Sequence, residues 1–248
     1  MSSIDAAAAA LAMVRRGGEP LADLAPPPAT DAEAYAIQHA LFATMGWRPG
    51  AWKAGVSPDG TKGAAAPIAD IHVHASPARL DAALCPLRGI EGEIAFRLAR
   101  DLPARDGAYA RDEVLAAVAE VVVAIEEVET RFRDMDQVGA LSKLADCQSN
   151  GALVAGGGVA PVLTGDLGRA RVRLTVDGKT CHEGVGGHPS VDPLAPLLWL
   201  ANNSATKAIL RAGQVVTTGS MTGLVKVGPA AHVVVEIDGI GRAELRFS

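Results

Sequence analysis

Glu91 and Glu93 stand two residues apart in Gly89-Ile90-Glu91-Gly92-Glu93-Ile94-Ala95-Phe96, the stretch richest in possible chemistry. In an extended strand side chains alternate between faces. This spacing therefore sends both carboxylates to one side and Ile90, Ile94 and Phe96 to the other. Adjacent carboxylates repel unless their face is wet or a cation bridges them. In isolation such a pattern is more commonly a solvated face. A second segment shifts the balance. Val121–Ile125 is too apolar for an exposed strand, yet it runs into Glu126-Glu127-Val128-Glu129, and alternation puts Glu126 on the face of Val122 and Ala124. A carboxylate carried inside is costly unless it is paired or bound to metal. Glu91, Glu93 and Glu126, with no soft ligand beside them, would select a hard cation, Mg²⁺ or Mn²⁺.

Lys53 lies among small residues in Gly50-Ala51-Trp52-Lys53-Ala54-Gly55, where a substrate can approach closely; as a residue type it is more often a surface lysine. His72 and His74 share a face if their segment is a strand. They are candidates for substrate contact, metal ligation or acid–base work, beside the commoner structural role. Gly184-Val185-Gly186-Gly187-His188-Pro189 precedes a helix and could hold an anion, but it lacks the Walker lysine and the Rossmann spacing. There is no Gly-x-Ser-x-Gly elbow and no Cys/His signature, so nothing supports a covalent nucleophile.

The elements that must position these groups are of two kinds. Residues 1–50 read as a helical segment. One helix runs to Arg16 with Asp5 as its cap, and a second starts at Thr30 with Glu33 completing a capping box and Gly46 ending it. Residues 51–248 read as a β-rich catalytic domain. Ile90–Leu98 and Val121–Val128 are strands, Asp112 caps a helix through Ala119, and Asp177-Gly178 marks a hairpin after Arg171–Val176. Asp192-Pro193 starts a helix through Leu200, and Val233–Ile237 with Ala243–Phe247 closes the chain as a hairpin.

The 248 residues suffice for a substantial core, and aromatics at 4% leave it to Ala, Val, Leu and Ile. A net charge of −5 and the absence of any Lys/Arg block argue against nucleic acid. Ala6–Val14 is too short to span a bilayer and precedes its arginines, the wrong order for a secretory signal. Three scattered cysteines fit a reducing compartment, so no membrane association and a cytoplasmic location are expected.

Taken in order, several segments resemble the 2-oxopent-4-enoate hydratase and 4-oxalocrotonate decarboxylase group of the fumarylacetoacetate hydrolase superfamily. They are Tyr35-Ala36-Ile37-Gln38, Trp52-Lys53-Ala54-Gly55, Ile90 to Phe96 with Arg100-Asp101-Leu102-Pro103, and Ile125-Glu126 through Arg131. Leu144-Ala145-Asp146 with Ser149, Gly187-His188-Pro189, Trp199-Leu200-Ala201, Gly219-Ser220 and Gly239-Ile240-Gly241 continue the likeness. The resemblance implies an α+β fold, a mixed β-sheet roll with a helical N-terminal segment, and a homo-oligomer. It implies Mg²⁺ or Mn²⁺ on Glu91, Glu93 and Glu126, with Lys53 at the substrate. Asp146 would orient substrate or water, Ser220 and His72 would contact substrate, and the substrate would be a small 2-oxo acid from aromatic catabolism. A hydratase is the leading expectation. A 2-oxo-3-enedioate decarboxylase, a carbon–carbon bond hydrolase and a non-catalytic partner subunit are the alternatives. The chain departs from the group's pattern at Asp146-Cys147, where relatives often read Asp-Asn, in a shortened stretch between Lys53 and Glu91, and at Gly228-Pro229-Ala230.

Overall fold

Small-residue helices at the start of the chain and apolar alternation through the rest build a helical cover over two β-sheets. The computed structural model describes residues 2–161, 167–206 and 208–248. Helix α1 (Ser3–Arg15) begins two residues before the expected cap: Ser2 is the N-cap, and Asp5 is its capping-box partner, donating its N–H to Ser2 Oγ at 3.1 Å. Helix α2 (Asp31–Met45) is capped by Thr30, whose Oγ1 accepts from Glu33 N at 3.2 Å, and ends at Gly46 in the left-handed conformation. Ala8, Leu11 and Ala12 of α1 and Ala34, Ile37 and Leu41 of α2 share one buried cluster with Phe132, Leu144 and Ala66. Alanine on both helices lets them lie close without bulky ridges.

The strands, in chain order, are β1 (Pro49–Val56), β2 (Gly63–Ala69), β3 (Val73–Ala75), β4 (Ala78–Leu80), β5 (Gly89–Leu98), β6 (Val118–Val128), β7 (Asn150–Val159), β8 (Arg171–Val176), β9 (Lys179–Val185), β10 (Val215–Ser220), β11 (Val225–Lys226), β12 (His232–Ile237) and β13 (Gly241–Phe247). The larger sheet runs β2-β1-β10-β5-β6-β7-β3 with β11 on β5, and the smaller runs β4-β13-β12-β8-β9. Ile94, Phe96, Val123 and Ile125 pack against Val233, Val235 and Leu245 of the smaller sheet. The opposite face of the larger sheet carries Ala51, Ile68, Ala95, Val122, Ala124, Leu153 and Val215, a second apolar layer of mostly small side chains. The expected mixed-sheet roll with N-terminal helices is the observed fold.

Three shorter helices differ from or add to the expectation. Helix α3 is only Arg111–Leu115, because Val118 is already paired with Leu98 in the sheet and a helix to Ala119 has no room. Helix α4 spans Ala140–Ala145. Helix α5 is Ala195–Asn202, and Asp192 forms the preceding turn instead, its Oδ1 accepting from Leu194 N at 3.1 Å. His72 is not on a strand with His74: it ends a 3₁₀ turn, Asp70–His72, and only His74 lies in β3. Among the described residues no helix is long and apolar enough to cross a membrane.

Candidate active site

Strand pairing brings the carboxylates together. β5 and β6 run antiparallel with Glu91 directly opposite Glu126 and Glu93 opposite Ala124, so all three acidic side chains emerge on one face. One ligand oxygen from each of Glu91, Glu93 and Glu126 lies within 4.8 Å of the others. Lys53 arrives on β1, two residues from buried Ala51 and beside Thr217 of β10 in register, which puts it on the same face.

Each carboxylate is held differently. Glu93 Oε2 accepts from Thr217 Oγ1 and from Gly219 N at 2.8 Å. The register of β10 slips between Thr217 and Ser220, and Gly219 sits there at φ +123°. A Cβ at Gly219 would stand 2.6 Å from Pro189 Cγ, so glycine is what lets this backbone N–H reach Glu93. Ser220 follows, opposite Glu93 in register, and its buried hydroxyl has no hydrogen-bond partner. Glu126 is wholly buried; its Oε1 accepts from Lys53 Nζ at 2.5 Å and Asn150 Nδ2 at 3.3 Å, while its Oε2 has no hydrogen-bond partner.

The electrostatics are those of too many negative charges. Burial, then Glu126 and Glu91, push the Glu93 carboxyl above the ordinary carboxylate range. Burial and Glu126 raise Glu91 likewise. Burial works against the Lys53 ammonium, but Glu126, Glu93 and Glu91 outweigh it and raise its pKa, so the lysine stays charged. Three carboxylates against one ammonium leave the cluster short of positive charge. An orphaned, wholly buried oxygen and an all-oxygen donor set fit one hard divalent cation.

Above this cluster opens a cavity of about 530 Å³ lined by Lys53, Glu91, Gln148 and Ser149, with Val128, Met135, Leu141, Leu144 and Leu224 as its apolar wall. Asp31 and Lys143 also line it. Three candidates for catalysis or substrate contact, Ser220, Asp146 and His72, do not line this cavity. Asp146 is fully buried beneath it: Arg131 Nε donates to its Oδ1 at 2.5 Å, Arg131 N to its Oδ2 at 3.2 Å, and Arg15 lies 3.7 Å away. With its oxygens occupied, Asp146 shapes the cavity wall and does not face it. His72 packs edge-on against the Trp47 ring, centroids 5.3 Å apart, and burial followed by Arg15 pulls its pKa down to about 4.

Sequence reasoning missed Gln148, Asn150 and Lys143. Gln148 sits in a run of three left-handed residues, Cys147, Gln148 and Ser149 at φ 51°, 53° and 57°. Left-handed conformation costs a non-glycine residue roughly 1–2 kcal/mol, so three in succession must be held from outside. Ser149 N donates to Asp146 O at 3.1 Å, Glu129 N to Ser149 O at 2.9 Å, and Lys53 Nζ to Gln148 O at 3.1 Å. No sequence signal marks such a turn: a Cys-Gln-Ser run has none of the glycine or asparagine that usually announces it.

The chain is similar to several known proteins. The Burkholderia vietnamiensis (strain G4 / LMG 22486) protein named 2-keto-4-pentenoate hydratase is 35% identical over 162 residues, 64% of this chain and 60% of that protein. A Pseudomonas putida protein named 4-oxalocrotonate decarboxylase is 30% identical over 136 residues, 54% of this chain and 51% of its own length. The chain thus matches about three-fifths or less of these relatives. The solved 4-oxalocrotonate decarboxylase from Pseudomonas putida G7, complexed with magnesium and adipate, superposes with a TM-score of 0.85 over 99% of this chain and 97% of that one. Its 22% identity speaks to fold alone. Residues 61–248 match the family described as Fumarylacetoacetate (FAA) hydrolase C-terminal, a span that holds Glu91, Glu93 and Glu126 and every strand except β1. By that match and that shared architecture, the chain belongs to the fumarylacetoacetate hydrolase family.

Proposed function

We propose that this protein is a metal-dependent hydratase. It adds water to a 2-hydroxy-2,4-dienoate, through its 2-oxo-4-enoate form, to give a 4-hydroxy-2-oxo acid in the breakdown of aromatic compounds. The observation that carries the reading is the unpartnered Glu126 Oε2 inside a three-carboxylate cluster at the foot of the cavity. The relative named as a hydratase, at 35% identity, supports the reaction class.

Mg²⁺ or Mn²⁺ on Glu91, Glu93 and Glu126 would supply a Lewis acid for the oxygens of a 2-oxo acid. The chain's own groups do the rest. Lys53, charged and anchored on Gln148 O, faces the negative charge that develops on the substrate. Ser220, opposite Glu93 in register, carries a buried hydroxyl without a partner that would be free to contact a substrate at the carboxylates. Val128, Leu141, Leu144 and Leu224 pack the hydrocarbon part and limit bulk water. Thr217 and Gly219 fix Glu93 so that its free oxygen keeps one direction. The reading carries with it a homo-oligomer in the cytoplasm, to be checked by light scattering and fractionation.

A second reading, a 2-oxo-3-enedioate decarboxylase, is favoured by Lys143. This cavity-lining lysine has no ion-pair partner among the described residues and could meet a distal carboxylate. The carbon–carbon hydrolase alternative needs a water-activating base over the site. His72 and His74 are the histidines of the segment concerned, and neither lines the cavity. A non-catalytic subunit would gain nothing from three converging carboxylates.

The test is incubation of the Mg²⁺-loaded protein with 2-hydroxypenta-2,4-dienoate in isotopically labelled water. Label at the hydroxyl of a 4-hydroxy-2-oxo acid is the expected result. Inactivity there, with metal-dependent CO₂ release from a 2-oxo-3-enedioate, would replace hydration with decarboxylation.

A further inference from the structure

We propose that Gln148 is a substrate-contacting residue whose side-chain Oε1 accepts a hydrogen bond from the 2-hydroxyl of the bound acid, so that the site prefers a 2-hydroxy to a 2-oxo ligand. The inference rests on the proposed function only in taking the cavity as the place where a small acid binds.

Three observations converge on this side chain. Gln148 lines the cavity beside Lys53, Glu91 and Ser149. Its Oε1 is buried and has no hydrogen-bond partner, although an amide oxygen withdrawn from water normally finds one. Its backbone is forced into the left-handed region at φ 53° and ψ 40°, between two neighbours in the same conformation. Cys147 and Ser149, on either side, are 1% and 4% exposed, and of the three Gln148 is the half-buried one, at the cavity wall.

The backbone strain is thus spent on one outcome, an amide directed at the ligand. Strain of this kind persists only where the surroundings impose it, and here they do. Lys53 Nζ holds the Gln148 carbonyl at 3.1 Å, and Arg131 Nη2 holds the Asp146 carbonyl at 3.1 Å just before the turn. The same lysine that pairs with Glu126 therefore fixes the distance between the Gln148 amide and the acid cluster.

An unsatisfied acceptor selects a donor. A 2-hydroxy-dienoate carries an O–H on the carbon next to its carboxylate; the corresponding 2-oxo acid has only an acceptor there and would leave Oε1 orphaned. A glutamate at this position would add a fourth carboxylate to the crowded cluster, so a neutral amide is the acceptor that the electrostatics tolerate.

The test uses inert three-carbon probes, so it does not depend on turnover. L- and D-lactate and pyruvate are titrated by calorimetry into the Mg²⁺-loaded protein, its Gln148→Met variant and its Gln148→Gly variant. Glycine accepts the left-handed backbone without strain and guards against a folding failure of the methionine variant. The ratio of pyruvate to lactate Kd should fall about fivefold in both variants, the worth of one neutral buried hydrogen bond. Mg²⁺ affinity should not change. A ratio that is unchanged in Gln148→Gly would overturn the inference, as would an equal loss of affinity for lactate and pyruvate. Failure of the dienoate assay with the lactate preference intact would instead count against the hydratase reading and leave Gln148 in its role.

Discussion

Two buried clusters of charge lie on either side of the turn at residues 147–149, and they are built on opposite plans. In one, Arg15 and Arg131 close around Asp146. Arg131 uses Nε on Asp146 Oδ1, Nη2 on Asp146 O and Nη1 on Asn150 O, so each of its three nitrogens has an acceptor, while Arg15 keeps one buried nitrogen, Nε, without a partner. Arg15 adds its guanidinium at 3.7 Å from Asp146, over the Trp47 ring. In the other, Glu91, Glu93 and Glu126 face one lysine and leave Glu126 Oε2 without a partner. A buried cluster whose charges compensate is part of the scaffold. A buried carboxylate without a partner can be relieved by a proton, as at Glu127, but three that converge within 4.8 Å are relieved together by a shared cation. The difference separates Asp146, to which the family resemblance assigned chemistry, from Glu126, whose surroundings call for a ligand.

The largest effect expected from breaking this contrast is at Arg131. Arg131→Met strips the buried Asp146 carboxylate of its hydrogen-bonded ion-pair partner and leaves it only Arg15, 3.7 Å away, so stability should drop by about 3–5 kcal/mol. Glu126→Gln in the metal-free protein should do the reverse, since it removes one of three repelling charges while keeping an acceptor for Lys53. Denaturant melts of both variants decide the point. Comparable destabilisation in the two would mean that both clusters are structural.

Next in size is the response to metal. Glu91→Gln, Glu93→Gln and Glu126→Gln should each weaken Mg²⁺ or Mn²⁺ binding by about 100-fold or more, since even outer partners of a metal cost up to that much. Lys53→Met should lower turnover far more than metal affinity. Calorimetry that shows unchanged metal affinity in all three glutamine variants would remove the centre from the proposal.

The acid cluster also sets a pH window. Burial, with Glu126 and Glu91, raises Glu93, and on the other face of β6 burial and Glu129 push Glu127 up to about 8. Both carboxyls have an ordinary value of 4.5. Between 4.5 and 8 the folded state therefore holds protons that the unfolded chain has released, and stability falls as pH rises through that window. The metal-free protein should melt at a lower temperature at pH 8 than at pH 5.5. Added Mg²⁺ should reduce the gap, since it takes the place of a proton at Glu93. A melting temperature that rises steadily across this range would contradict the sign.

What could be read from the sequence follows the same division. Strand alternation is a local rule, so Glu91, Glu93 and Glu126 on one face, the β8–β9 hairpin and the β12–β13 hairpin were all legible. Lys53 was legible through its Gly-rich setting and the family likeness. Asp146 was misplaced because nothing local to it reveals that Arg15, 131 residues earlier, and Arg131 would occupy its oxygens. His72 was misplaced because alternation was assumed through Asp70–His72, where the chain coils into a 3₁₀ turn. Gln148 and Asn150 depend on a left-handed turn that only the surrounding clamps impose. Pairwise contacts across the fold carry no signature in a single chain.

The smallest effect belongs to Asn150, the residue that joins the two clusters, and it is the most discriminating. Its side-chain Nδ2 donates to Glu126 Oε1 at 3.3 Å, while its backbone carbonyl accepts from Arg131 Nη1 at 3.0 Å and Arg15 Nη2 at 3.4 Å. Asn150→Ala severs the link to the acid cluster and leaves the carbonyl to the arginines untouched. If the two clusters are distinct in kind, this variant should lose only about 1 kcal/mol of stability, the net worth of one hydrogen bond. It should still bind Mg²⁺ about 10-fold more weakly, because Glu126 loses a partner that fixes its direction. A stability loss as large as that of Arg131→Met would show the amide to be part of the scaffold. Metal affinity equal to that of the unaltered protein would show that Lys53 alone holds Glu126 in place.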